Sequence, residues 1–212
     1  MGTGTGQMRK AIFAVVSAIL LLAPAIASAQ DNGKLNASPG PDVIKSCQTC
    51  HGAGGNSSIG STPRLNGQQA AYLSRRLRLF RETATKPLHP STDMLGAVSH
   101  LSDAAISSVA NYFAKQPPTE PDAISTPLAA EGERIYQSGI KSENVIACKL
   151  CHDAHGKGHG DVPRLAGQHK DYMKNEIMLF SVKFRDNKLM HPNAENISAH
   201  SLDAVAAYLA KD

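Results

Sequence analysis

The chain has 212 residues, room for one large domain or two small ones. Its 22 Lys and Arg face 18 Asp and Glu, for a formal charge of +4; losing Arg9 and Lys10 with an N-terminal leader leaves 20 against 18. So weak a basic balance does not suggest nucleic acid as a partner, and all 4 cysteines fall in two short Cys-x-x-Cys-His runs, so no thiol is left over for a disulfide.

Residues 1–29 read as a secretory signal peptide. Arg9 and Lys10 supply a basic start, Ala11 to Leu22 is apolar, and Ala27-Ser28-Ala29 forms a small-residue cleavage site before Gln30. Pro24 and that site favour removal over retention as a membrane anchor. No later stretch is apolar and long enough to cross a bilayer, so the mature chain is expected in the periplasm.

The first motif is Cys47-Gln48-Thr49-Cys50-His51 and the second is Cys148-Lys149-Leu150-Cys151-His152. On a helical turn, residues i and i+3 lie together, so both thiols reach the two vinyl groups of one porphyrin, and the His at i+4 faces its iron as proximal ligand. The pattern therefore predicts two covalently attached c-type haems. A shared zinc site is a poor alternative, because 97 residues separate Cys50 from Cys148. A thioredoxin-like redox pair would need a strand–helix–strand context that the chain does not offer.

The mature chain repeats itself. Pro63-Arg64-Leu65-Asn66-Gly67-Gln68 matches Pro163-Arg164-Leu165-Ala166-Gly167-Gln168, and a helical pattern follows each. Its apolar stripe is Leu73, Leu77, Phe80 and Ala84 in the first copy and Met173, Ile177, Phe180 and Phe184 in the second; Tyr72 and Tyr172 coincide. Each repeat closes on another helix, with Ser102 or Ser198 as the expected N-cap. The second repeat opens on a helix from Leu128 to Gln137, ended by Ser138-Gly139, whereas the first opens more briefly from Pro41 into Cys47. The expected organisation is an N-terminal domain at 30–115, a stiff Pro-rich linker at 116–127 and a C-terminal domain at 128–212. Domains of about 80 residues bury modest cores, so haem would supply much of each interior.

The second axial ligand comes from the repeat. Met94 stands seven residues before Leu101, and Met190 seven before the matching Ile197, which selects them as a pair. Met173 sits on the apolar stripe and reads as core, while Met178 falls off it, at a domain boundary. His89, His100, His191 and His200 compete as ligands in a bis-His arrangement. Pro63 and Pro163 either start the long helices or offer carbonyls to His51 and His152.

With both motifs, both methionines and the Pro-Arg-Leu-x-Gly-Gln stretches, the chain resembles the dihaem cytochromes c4 from about Pro41 to its C-terminus. The resemblance implies an all-α fold of two tandem class I cytochrome c domains, each wrapped around a covalent haem and related by a pseudo-twofold axis, with the haem propionates near each other. It implies thioethers at Cys47, Cys50, Cys148 and Cys151, iron ligation by His51 with Met94 and by His152 with Met190, and Pro63 and Pro163 carbonyls behind the histidines. It also implies electron carriage between redox proteins of the respiratory chain, towards a terminal oxidase, with membrane association through partners. The segment from Thr83 to Met94, with Pro87, His89 and Pro90, is longer than its counterpart before Met190.

Two other classes are weighed beside the carrier. Dihaem thiosulfate dehydrogenases use a cysteine thiolate on one iron, for which no cysteine is spare, and dihaem peroxidases are longer and keep an iron open. A dihaem subunit of a flavoprotein dehydrogenase, such as a flavocytochrome c sulfide dehydrogenase, looks much like this chain. Arg75, Arg76, Arg78 and Arg81 form a basic run that reads as a docking patch, a solvated face or a set of propionate partners. The His-rich loop from Asp153 to His159 reads as a solvated flexible loop.

Overall fold

A computed structural model describes Met1, residues 41–83 and residues 92–211. The signal-peptide reading of 1–29, Ala84, His89 and the segment from 84 to 91 lie outside the described residues. The residues from 41 onward form one packed unit. Every described regular element is a helix, and the only β pairing among these residues is in isolated bridges, such as His159 with Val162.

Among the described residues, four α-helices build the first half: α1 (Pro41–His51), α2 (Ala70–Thr83), α3 (Thr92–Val98) and α4 (Asp103–Ala114). Ser102 caps α4 by accepting from the Ala105 N–H, as its position before an apolar run predicts. α2 packs on α4, and the core between them contains Tyr72, Leu73, Val109, Ala110 and Phe113, with Val43, Ile44 and Cys47 of α1 against it. A second cluster of Val98, Leu101, Ala105 and Ile106 continues the core towards Met94.

Five helices build the second half: α5 (Pro127–Ser138), α6 (Lys149–His152), α7 (Lys170–Ser181), α8 (His191–Asn196) and α9 (Ala199–Leu209). α5 starts with Thr126 accepting from the Ala129 N–H and stops at Gly139, where φ is 71°. α5 and α9 cross closely: a Cβ on Gly132 would lie 1.9 Å from the Ala204 carbonyl oxygen, and Tyr136 meets Tyr208 with ring centroids 5.5 Å apart. Ser198 caps α9 through the Ser201 N–H.

The predicted stripe on α7 runs one residue group too far. Met173 and Phe180 are buried as expected, but the helix stops at Ser181 and Lys183 adopts a left-handed φ of 57°, which carries Phe184 out to solvent. Met178 is likewise exposed.

The two Pro-Arg-Leu-x-Gly-Gln stretches fold alike. Leu65 N–H donates to Gly55 at 2.8 Å and Leu165 N–H to Gly156 at 2.7 Å, while Gly67 and Gly167 donate to the ends of α4 and α9, at Phe113 and Leu209. The connecting segment after α4 runs across both: a Cβ on Gly67 would meet Pro118 at 2.5 Å, and one on Gly167 would meet the Thr119 carbonyl at 2.0 Å. Glycine is required at both by this close approach.

Candidate haem sites and the clasp between the halves

Each Cys-x-x-Cys-His motif closes a helix. α1 ends on His51 and α6 on His152, and each His is buried. Cys47 and Cys148 are half-buried, Cys50 and Cys151 are exposed, and none of the four is paired in a disulfide. Burial pushes the Cys148 thiol up to about 11 and also raises Cys47.

The ring of His51 donates from Nδ1 to the Pro63 carbonyl at 2.8 Å, and His152 donates to the Pro163 carbonyl at 3.0 Å. Each contact fixes the ring and its tautomer, leaving Nε2 as the free lone pair. Burial lowers the pKa of both rings, with the Pro carbonyl opposing it, so they are neutral, as metal ligation demands. Two thiols one turn apart, with a buried neutral imidazole beside them, fit a covalent haem, and the arrangement occurs twice.

Met94 lies in the first turn of α3 and Met190 directly precedes α8, so both begin the short helix before the last one of their half. Met94 is partly buried against the Val98–Ile106 cluster. Among the competing histidines, His200 Nε2 sits 3.0 Å from the Glu131 carboxylate, and His191 Nε2 is held among the Arg185 carbonyl and the Asn187 N–H, 3.0 and 3.1 Å away. His100 is exposed. The loop after His152 is hydrogen-bonded rather than loose: Tyr136 Oη donates to the Asp153 carbonyl at 2.6 Å, Gln137 donates to Ala154, and Gly158 N–H to His152. No group of three or more metal-ligating side chains occurs there or elsewhere among the described residues.

Between the halves lies a reciprocal clasp. Gln68 Oε1 accepts from the Arg164 N–H at 2.7 Å and Gln68 Nε2 donates to the Arg164 carbonyl at 2.9 Å. Gln168 does the same to Arg64, at 2.9 and 3.0 Å. This exchange is the local mark of the pseudo-twofold axis. Arg64 also donates to the Gly167 and Lys211 carbonyls, and Arg164 reaches Glu120 at 3.0 Å. His169 Nε2 donates to the Ser57 carbonyl across the same seam. The repeat made these stretches visible in the sequence, but not that they bind each other.

Beside the clasp, buried Arg185 pairs with Glu176 and donates to Tyr72 Oη at 2.8 Å, while its guanidinium lies over Phe180. Although burial opposes it, Tyr72, Glu176 and Tyr172 hold the Arg185 pKa above its ordinary value. The basic run on α2 is not a free docking patch. Arg76 is buried over the Phe80 ring; Arg81 donates to the Leu101 carbonyl and to Asp103 at 2.8 and 2.7 Å, with Arg78 also facing Asp103; and Arg75 turns to Asp161.

The helical fold and the doubled haem-attachment geometry define a dihaem c-type cytochrome, an electron-transfer protein with one covalent haem in each of two class I cytochrome c domains. Comparison with known proteins agrees. Residues 127–209 match the family model described as cytochrome C oxidase, cbb3-type, subunit III. Cytochrome c4 of Azotobacter vinelandii is 31% identical over 186 residues, covering 82% of this chain and 88% of that protein. A thiosulfate dehydrogenase electron acceptor of Thiomonas intermedia (strain K12) is 33% identical over 177 residues, covering 80% of each. The solved structure of Acidithiobacillus ferrooxidans cytochrome c4 superposes with a TM-score of 0.72 at 34% identity, covering 78% of this chain and 98% of that one. The chain belongs to the cytochrome c4 family.

Proposed function

We propose that the protein is a periplasmic electron carrier that takes electrons from one respiratory redox protein and delivers them towards a terminal oxidase. Residues 1–29 are its cleaved signal peptide, 30–115 and 128–212 its two haem domains, and 116–127 the linker between them. Cys47 and Cys50 would hold one haem and Cys148 and Cys151 the other, with His51 and Met94, and His152 and Met190, as the residues that would ligate the irons. The observation that carries this reading is the pair of His Nδ1–Pro carbonyl contacts, because an imidazole so fixed presents Nε2 in one direction.

The haems supply reversible one-electron chemistry. The protein's own residues do the rest. The Pro63 and Pro163 carbonyls orient the histidines and raise their basicity, and methionine as the other ligand would favour a high potential suited to electron transfer. The Gln–Arg clasp fixes the two halves against each other, which keeps the distance between redox centres constant. No proton donor or acceptor is needed in the step.

The oxidase direction is supported by the match of residues 127–209 to the oxidase-subunit family. A second reading, in which the electron donor is a sulfur-compound dehydrogenase, is favoured by the similarity to the Thiomonas acceptor protein. Stopped-flow oxidation of the reduced protein by washed membranes of its native cell tests the first; reduction by thiosulfate in a periplasmic extract tests the second. Cyanide-sensitive reoxidation by membranes is the expected result, and an inert reduced protein would overturn the oxidase direction.

A further inference from the structure

The exposed large apolar side chains are distributed unevenly. Among the described residues from 41 onward, Ile59 of the first half is 52% exposed, whereas Ile146, Leu150, Met178, Val182 and Leu189, each more than half exposed, all belong to the second half, with Leu189 reaching 75%. The repeat shows what the first half has in their places: Lys45, Thr49, Arg78, Glu82 and Asp93. All five apolar positions are polar or charged there. A random scatter of surface leucines would not follow the repeat in this way.

These residues cluster around the second Cys-x-x-Cys-His motif. Leu150 lies between the two attaching cysteines. At 100° per residue it projects away from the side shared by Cys148, Cys151 and His152, so a haem held on that side leaves it uncovered. Ile146 N–H donates to Asn193 at 3.0 Å, and Asn193 in turn donates to the Leu189 carbonyl at 3.0 Å, which brings Ile146, Leu189 and the start of α8 together. Met178 and Val182 stand four apart at the end of α7, and that end is tied to α8 by Lys183 with Glu195 at 3.0 Å.

The border is basic. Lys149 and Lys188 are exposed, and neither has an ion-pair partner among the described residues; with Lys183, which engages Glu195, they set three lysines against Glu195 and the exposed Asp186. A second copy of this chain would set lysine against lysine across a twofold contact, which disfavours self-association. An apolar centre with a lysine border fits a protein surface of the opposite design.

We propose that the face around Leu150 and Leu189 is the docking surface for the redox partner, a protein with an apolar patch bordered by carboxylates, and that electrons cross there through the second haem rather than the first. This rests on the carrier reading above. Apolar contact gives short, readily broken complexes, while the lysines steer the encounter.

The test uses the holoprotein and, as probe, a blue-copper protein whose apolar patch is edged by carboxylates. Second-order electron-exchange rates are measured by stopped flow for wild type, for Leu150→Thr with Leu189→Asp, and for Thr49→Ala with Asp93→Ala. Leu150→Thr restores a residue already present in the first motif, so haem attachment is expected to survive, and haem content and both potentials are measured on every variant. The second-half variant should lose about tenfold or more in rate, as for loss of a central contact, while the first-half variant changes less than about twofold and both react with ferricyanide as wild type does. Equal rates for wild type and the second-half variant, or a larger loss in the first-half variant, would overturn the assignment. A wild-type dimer in sedimentation that the second-half variant abolishes would overturn it too, by making the occupant a second copy. Failure of the oxidase direction looks different: membranes leave the protein reduced while exchange with the copper protein proceeds.

Discussion

Replacing Gln68 by Ala removes a buried side chain that satisfies both backbone groups of Arg164 and, through the same oxygen, the Gln69 N–H. Gln69 is half-buried and can find water; the Arg164 backbone, in a buried residue, cannot. Leaving a buried donor or acceptor unpaired costs about 1–2 kcal/mol, so two such groups give a loss of about 2–4 kcal/mol. Gln168→Ala breaks the mirror contacts and leaves one group of a buried residue, the His169 N–H, without its partner, while the Arg64 backbone is only partly buried and can find water, so about 1–2 kcal/mol is expected there. The two halves of the clasp are therefore unequal despite identical chemistry. Urea unfolding of the holoprotein, followed by far-UV circular dichroism, measures both variants, and the double variant should resolve one transition into two as the halves uncouple. Losses below about 0.5 kcal/mol for Gln68→Ala, or a larger loss for Gln168→Ala than for Gln68→Ala, would refute the reasoning.

Gly132→Ala should destabilise the second half by about 2 kcal/mol or more, since its Cβ has no room against the Ala204 carbonyl and the α5–α9 crossing must open; thermal unfolding reads this directly. Ser102→Ala and Ser198→Ala should each cost about 1 kcal/mol through loss of an N-cap, and the two losses should add in the double variant. Stability should fall in acid. A hydrogen bond from Arg81 holds Asp103 below its ordinary pKa, Lys174 does the same for Asp203, and the Ser198 N–H for Glu143. Depressed folded-state values mean this contribution is complete above the unfolded carboxylate range, near about 4, and is lost as pH drops through the lower folded values. A pH series of denaturation midpoints should slope down below that point, and less steeply for Asp103→Asn.

The features easiest to read in advance were those written in short-range spacing. The Cys-x-x-Cys-His runs, the serine caps and the end of α5 at Gly139 depend on neighbours within four residues, and the structure has them where the spacing puts them. The end of α7 was missed because neither Gly nor Pro marks it; Lys183 takes a left-handed φ that the sequence does not announce. The arginine run stayed open between three readings for a different reason. Asp103 lies 22 residues from Arg81, and only the packing of α2 on α4 brings it to the run. The clasp joins residues about a hundred positions apart, so the repeat revealed two similar loops without revealing that each is the other's partner. Asymmetry between the halves was present in the sequence as paired differences, Thr49 against Leu150 and Asp93 against Leu189, but only exposure gave those pairs meaning.

An optical redox titration of the purified holoprotein tests the proposed ligation and role together. Two reversible one-electron steps are expected, with the far-red charge-transfer band of a methionine-bound ferric haem present in the oxidised state and no rapid uptake of carbon monoxide when reduced. Stoichiometric carbon monoxide binding, or absence of that band at both haems, would contradict iron held between His51 and Met94 and between His152 and Met190.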